Sequence, residues 1–171
     1  MEVLGGNGSK RLYLSPIGTL EIQSDGQSIT SILFLDEVKT EIIDDLTDSV
    51  IDECICQLNE YFEGKRKIFT LQLKPAGTEF QSRVWKNVCE IPFGETTSYG
   101  KIANEMGNPK LNRAVGLANG ANPIPIIIPC HRVIGNDGSL TGYAGGLERK
   151  RWLLNHEQQH YITTKGQLKL F

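Results

Sequence analysis

The sequence predicts a small α/β N-terminal domain of residues 1–76 and a mainly α-helical C-terminal domain of residues 77–171. Three observations lead to this interpretation. Strand-like segments fill the first 35 residues, helical spacing of apolar residues dominates after residue 77, and the sign of the charge changes between the two parts. Residues 1–79 carry 7 Lys and Arg against 14 Asp and Glu, whereas residues 80–171 carry 11 against 6. We therefore expect any polyanionic partner to bind the C-terminal part.

The N-terminal domain is predicted to begin with an antiparallel meander. Turn residues separate three strand-like segments: Lys10–Ser15, Leu20–Ser24 and Ser28–Leu35. A helix is expected next, with Ser49 as its N-cap and Gly64 at its end. A short strand over Phe69–Leu73 is expected to follow, before a linker that contains proline and glycine.

The C-terminal domain is predicted to contain a helix-turn-helix pattern. Thr78 and Gln81 form a capping-box signal for a first helix. A second helix, capped by Thr97 or Ser98, and a third over Lys110–Asn119 are separated by a Gly-Asn-Pro break. In DNA-binding proteins with this pattern the later helix approaches a groove of the duplex, although many other helix pairs look similar.

A last helix is expected over Leu147–Asn155, after a glycine-rich loop. Arg149, Lys150 and Arg151 are expected to form a basic face of this helix, and His156 and Glu157 follow it. The C-terminal domain is thus predicted to be mainly helical.

The segment Ile126–Ile134 brings a cysteine and a histidine together within an apolar run. Because proline fixes its own φ, Pro129 sets the direction in which the chain reaches Cys130. A cysteine reacts as the thiolate, which a neighbouring base or cation favours, and His131 and Arg132 are candidates for both. A buried structural cysteine beside surface polar residues is the alternative.

The remaining composition excludes several other classes of site. The four cysteines, at positions 54, 56, 89 and 130, lack the paired spacing of a disulfide framework, which predicts a reduced intracellular protein. No segment is typical of a membrane span or a signal peptide. Neither metal-ligand spacing nor a phosphate-binding glycine motif occurs, so we expect no metal and no cofactor.

The segment Pro129-Cys130-His131-Arg132-Val133 resembles the O6-alkylguanine-DNA alkyltransferases, also called methylated-DNA–protein-cysteine methyltransferases. Arg113-Ala114-Val115-Gly116 and Asn122-Pro123 precede it, as in that family. Further matches follow in order: Phe80-Gln81, Val84-Trp85, Ile91-Pro92, Thr97-Ser98-Tyr99, Gly107-Asn108-Pro109, Tyr143-Ala144-Gly145-Gly146 and Trp152-Leu153-Leu154. The resemblance implies a ribonuclease H-like N-terminal domain and a winged-helix-like DNA-binding C-terminal domain.

The resemblance implies a catalytic role for four residues. Cys130 accepts the alkyl group, and His131 and Glu157 form a proton relay with a water molecule. Adjacent residues of an extended segment point to opposite sides, which favours a water over a direct bond between Cys130 and His131. Tyr99 helps to turn the nucleotide out of the duplex and supports the guanine leaving group.

The resemblance also implies residues that hold the DNA and the base. Arg113 fills the space left in the base stack, with Asn112 and Ala114 beside it on the same helix. The implied pocket for the base consists of five residues: Asn122, Pro125, Val133, Tyr143 and Ala144. Some relatives have serine at the position of Ala144, so only a backbone contact is expected there.

The implied substrate is double-stranded DNA that contains O6-alkylguanine, with O4-alkylthymine as a second lesion. We expect a monomer that transfers one alkyl group once, in the cytoplasm, at the nucleoid of a prokaryote or in the nucleus of a eukaryote, with no membrane or obligate protein partner. Two alternatives are a non-catalytic sensor of alkylated guanine and a cysteine hydrolase that uses Cys130 and His131. Relatives that act as sensors lack the cysteine, and the sequence shows no oxyanion-hole signature for a hydrolase.

Overall fold

The computed structural model describes residues 8–36 and 47–168. The chain divides between Ala76 and Gly77 into two compact units. Within the described ranges, no helix is long and apolar enough to cross a membrane.

The N-terminal unit contains a three-stranded antiparallel sheet with one helix packed on it. The strands are β1 (Ser9–Ser15), β2 (Gly18–Ser24) and β3 (Ile29–Leu35), in the order β1-β2-β3, and the helix is α1 (Ser49–Phe62). In this register Tyr13 pairs with Leu20 and Leu20 pairs with Phe34, so these side chains share the face that α1 covers. The predicted meander and helix are therefore confirmed.

Two local predictions for this unit are wrong. Asp48, not Ser49, caps α1, because its carboxylate accepts hydrogen bonds from the N–H groups of Val50 and Ile51 at 2.9 and 3.1 Å. The expected strand over Phe69–Leu73 is reduced to a single bridge between Leu73 and Ile29. The buried side chain of Gln57 accepts from the N–H of Thr70 at 2.9 Å and therefore takes the place of a neighbouring strand.

The C-terminal unit is mainly helical, as predicted. Its elements are α2 (Glu79–Cys89), β4 (Thr97–Ser98), α3 (Tyr99–Glu105), α4 (Asn112–Gly120), β5 (Val133–Ile134) and α5 (Leu147–Leu168). The capping box between Thr78 and Gln81 is present, and the Ser98 hydroxyl caps α3. Helices α2 and α3 both pack against α4, and the indole of Trp85 donates to the carbonyl of Ala118 at 2.8 Å.

Two helices of this unit differ from their predicted bounds. A 3₁₀ turn over Pro109–Leu111 precedes α4, because the Asn108 side chain caps that turn by accepting from the N–H of Lys110. Helix α5 continues to Leu168 instead of ending at Asn155, because no glycine or proline interrupts it before Gly166. Glu157 is therefore a helical residue, and α5 rigidly positions its carboxylate.

Candidate functional site

The chain between α4 and β5 forms a buried and strongly constrained loop. The Asn122 side chain donates to the carbonyl of Ile128 at 2.8 Å and accepts from the N–H of Ile124 at 2.9 Å. Ile126 has a φ of 75°, which is unusual for a β-branched residue. Such a conformation costs free energy and persists only where its surroundings impose it. The loop is thus held in one shape just before Cys130.

Cys130 begins a buried 3₁₀ turn, Cys130–Arg132, in place of the extended segment that we expected. The turn closes because the N–H of Arg132 donates to the carbonyl of Pro129 at 2.9 Å. The Asn119 side chain on α4 donates to the Cys130 carbonyl at 3.1 Å, so the helix is tied directly to the cysteine. Only 4% of Cys130 is exposed, and it therefore meets reactants only within a pocket.

The buried carboxylate of Glu157 accepts four hydrogen bonds in the interior of this unit. His131 Nε2 donates to Oε1 at 2.7 Å, and the Arg132 guanidinium binds both oxygens at 2.9 and 3.0 Å. The N–H of Gly94 donates to Oε2 at 3.0 Å. Burial opposes ionisation, but His131 and Arg132 overcome it and hold the pKa of Glu157 well below its usual range. The carboxylate is therefore anionic at neutral pH.

The surroundings of His131 favour its neutral form. Its side chain is completely buried, and this burial lowers its pKa despite the adjacent carboxylate of Glu157. Since Nε2 donates to that carboxylate, we assign the remaining lone pair to Nδ1. Among the residues that the structure describes, Nδ1 has no hydrogen-bond partner. His131 can therefore accept a proton at Nδ1.

The resting form of Cys130 is the protonated thiol. Burial raises its pKa to about 11, although the Asn122 side chain, the Lys150 charge and nearby backbone N–H groups favour the thiolate. Lys150 is buried, and its Nζ donates to the carbonyls of Val133 and Thr141 at 2.6 and 2.7 Å. Burial lowers the pKa of Lys150 to about 8. Deprotonation of the thiol at neutral pH therefore needs a base.

Tyr99 lies beside this group at the first position of α3. Its hydroxyl donates to the Thr141 carbonyl at 3.0 Å, and burial raises its pKa. The Lys150 Nζ is 5.9 Å from the centre of the Tyr99 ring, within the range of a cation–π contact. A Cβ at Gly142, which has a φ of 56°, would lie 3.5 Å from this hydroxyl. That distance is an ordinary contact, so the positive φ is what favours glycine at this position.

The other predicted pocket residues differ in their exposure to solvent. Pro125, Val133 and Tyr143 are buried, and burial raises the pKa of Tyr143 well above its usual value. Ala144 is exposed in the glycine-rich loop. A thiolate at Cys130 would repel a tyrosinate at Tyr143, so the tyrosine lies in the surroundings of the thiol.

The predicted DNA contacts form a separate group at the start of α4. Asn112 and Arg113 are exposed and Ala114 is half-buried. The opposite face of α4 carries Val115 and Asn119 into the interior. The structure therefore separates this exposed helix surface from the group formed by Cys130, His131 and Glu157 (the cysteine group), and Asn119 connects the two.

Sequence patterns do not reveal three contributions to the site. The sequence makes Arg132 a candidate neighbour of the thiol, but its guanidinium binds Glu157. The pattern predicts Lys150 on a basic surface, although it is buried, and indicates no role for Asn119. Helical spacing could have revealed Lys150, because Lys150, Leu153 and Glu157 follow one face of α5.

The neutral state of His131 predicts a plateau in the pH dependence of the reaction. If His131 takes the thiol proton, the rate with an alkylated guanine base should not rise between pH 6.5 and 8, where His131 is neutral and Lys150 begins to lose its charge, and it should fall at lower pH as His131 becomes protonated. If a free thiolate with a pKa of about 11 were the only reacting form, the rate would rise about tenfold per pH unit instead. Single-turnover rates across this pH range decide between these outcomes.

Two family models cover most of the chain. Residues 9–75 match the ribonuclease-like domain of 6-O-methylguanine DNA methyltransferase, and residues 79–159 match its DNA binding domain. The first match agrees with the small sheet and helix of the N-terminal unit. The second contains every residue of the cysteine group.

Individual relatives give the same result. The methylated-DNA–protein-cysteine methyltransferase of Methanosarcina mazei is 50% identical over 85% of this chain and 94% of its own length. The corresponding protein of Mycobacterium tuberculosis is 48% identical over 84% of this chain and 88% of its own length.

A solved structure, Mycobacterium tuberculosis OGT in complex with DNA, superposes with a TM-score of 0.80 and 47% identity over 88% of this chain and 93% of that one. Sequence and structure agree over both units. The chain therefore belongs to the 6-O-methylguanine DNA methyltransferase family.

Proposed function

We propose that this protein repairs DNA by moving an alkyl group from O6 of guanine, and also from O4 of thymine, to the sulfur of Cys130. The observation that carries the proposal is the buried Cys130 beside neutral His131, tied through Asn119 to the exposed helix α4. The relatives named above are methyltransferases that act on methylated DNA and a protein cysteine, and one is a complex with DNA.

The chemical step moves one alkyl group and one proton. The thiol proton passes through a water to Nδ1 of His131, while Glu157 stabilises the resulting imidazolium. The sulfur then attacks the alkyl carbon from the side opposite to the guanine oxygen, and the carbon–oxygen bond breaks. Tyr99 turns its hydroxyl from the Thr141 carbonyl to the base and supports the departing guanine with a hydrogen bond, while the proton held by His131 passes through water to the guanine ring. Repair thus yields unmodified guanine and an alkylated cysteine.

The burial of Cys130 requires the base to leave the duplex. A target inside the base stack cannot reach the thiol of a cysteine that is only 4% exposed, so the nucleotide must turn out into the pocket. Arg113 then occupies the vacated space while its charge remains near the phosphates. All of these groups belong to residues 77–171 of one chain, so a monomer suffices.

The experiment that tests this function uses a duplex with a single O6-methylguanine. After incubation with the protein, the DNA is digested to nucleosides and analysed. We expect the modified nucleoside to be replaced by deoxyguanosine, without strand cleavage and without a released base. A duplex that is bound but unchanged would identify a sensor of alkylated guanine instead.

The role of Arg113 predicts a difference between two substrates. Arg113→Ala should slow transfer from duplex DNA by about 10–100-fold, because turning out a nucleotide costs a few kcal/mol. Reaction with a free alkylated guanine base needs no such step and should keep its rate. Arg151→Ala is the control, since Arg151 is exposed on α5 and already paired with Glu148. Equal slowing of both substrates would mean that Arg113 acts in chemistry or folding.

A further inference from the structure

Helix α4 presents one face that takes little part in packing within its unit. Val115, Ala118 and Asn119 form the buried face. The positions opposite to them follow the spacing i, i+3, i+4 and i+7 of a single helix surface: Arg113, Gly116, Leu117 and Gly120. Leu117 is 70% exposed on this surface.

Arg113 and Leu117 are the side chains that protrude from this face. Gly120 has open space where a Cβ would stand, and a Cβ at Gly116 would reach only ordinary contact with the Tyr99 ring. The two glycines let another molecule come close to the backbone, and such a molecule meets Arg113 and Leu117 first. Lys110, one turn before Arg113, is also exposed, so the surroundings of Leu117 suit a polyanion.

We propose that Leu117 makes an apolar contact with the duplex beside the nucleotide that is turned out. This inference rests on the proposed function. Leu117 lies about 6 Å along the helix from Arg113, a distance close to two base-pair steps of about 3.4 Å each. When Arg113 enters the vacated position, Leu117 packs against a neighbouring, partly unstacked base step. Apolar side chains act as wedges of this kind in proteins that deform DNA.

The apolar contact of Leu117 and a phosphate contact of a cationic side chain should respond differently to salt. Covering an exposed leucine with bases and sugars removes apolar surface from water, and this contribution does not depend on salt. A phosphate contact by Arg113 instead contributes through counterion release and is weakened by salt. The two residues of this face can therefore be told apart by the salt dependence of binding.

The test compares Leu117→Ala with the unaltered chain. We expect affinity for a lesion-containing duplex to fall about tenfold, in line with the loss of a buried leucine side chain. The slope of log K against log salt should stay the same, whereas Arg113→Ala should reduce it by about 1. The rate with a free alkylated guanine base should not change. Alanine is at least as good a helix former as leucine, so α4 should fold normally.

Leu14→Ala is the matched control, because Leu14 is 79% exposed on β1 in the other unit. It should leave duplex affinity unchanged. A fluorescent adenine analogue next to the lesion supplies a second readout, and its unstacking signal should decrease with Leu117→Ala. If duplex affinity and this signal match the unaltered chain, the inference is wrong while the proposed function stands. Absence of transfer by the unaltered chain would overturn both.

Discussion

Replacement of Cys130 by serine should abolish alkyl transfer and leave duplex binding intact. A serine hydroxyl at this buried position cannot form the anion that attacks carbon, because its pKa lies far above that of a thiol. Binding depends on the exposed face of α4, which the substitution does not alter. Single-turnover transfer and duplex affinity, measured on the same preparation, separate the two effects. Transfer at the normal rate by Cys130→Ser would contradict the assignment of the acceptor.

The other three cysteines provide internal controls for this prediction. Cys56 and Cys89 are exposed, and Cys54 is buried in the N-terminal unit, where burial raises its pKa to about 12. Serine at each position should preserve transfer, measured at a temperature at which the variant is folded. Loss of transfer in any of these folded variants would mean that Cys130 does not act alone.

Glu157→Gln should have the second largest effect, on stability and on transfer together. The carboxylate is buried and accepts from His131, Arg132 and Gly94. An amide in its place presents an NH₂ group to these donors and leaves the Arg132 charge without a counterion. Breaking a buried ion pair in this way costs about 3–5 kcal/mol. Denaturant unfolding measures this loss of stability directly.

The same variant should also lose the relay. Without the carboxylate, His131 no longer has the acceptor that stabilises its protonated form, so transfer should slow and the plateau between pH 6.5 and 8 should disappear. Glu148→Gln is the control on the same helix, because that side chain is 90% exposed and its pairing with Arg151 lies at the surface. It should change stability by less than about 0.5 kcal/mol. If Glu157→Gln had the same free energy of unfolding as the unaltered chain, the proposed contribution of this carboxylate to stability would be contradicted.

The parts of the fold that could be predicted from sequence depend on local signals. Thr78 and Gln81 form their capping box within four residues, and Ser98 caps α3 in the same way. Turn residues likewise separate β1, β2 and β3. Where a distant residue intervenes, the prediction is wrong: Gln57 takes the backbone of Thr70 out of the strand that we expected.

The site illustrates the same difference between local and distant interactions. The resemblance identifies the cysteine, histidine and glutamate, but it does not indicate that Asn119, eleven residues away in the chain, binds the Cys130 carbonyl. Arg132 reaches Glu157 across 25 residues, which no local pattern indicates. Lys150 lies between two arginines in the sequence, but its position on α5 directs its side chain into the interior, where it donates to the carbonyl of Val133.

The central claim is that Cys130 accepts one alkyl group and keeps it. A thioether has no leaving group that water can displace, in contrast to an acyl-enzyme with its carbonyl. The measurement is the mass of the intact chain after titration with excess duplex that contains O6-methylguanine, followed by peptide mapping. The account predicts that the chain gains the mass of one methyl group on Cys130 and that repair stops at one equivalent. Continued repair beyond one equivalent, or methylation at another residue, would contradict it.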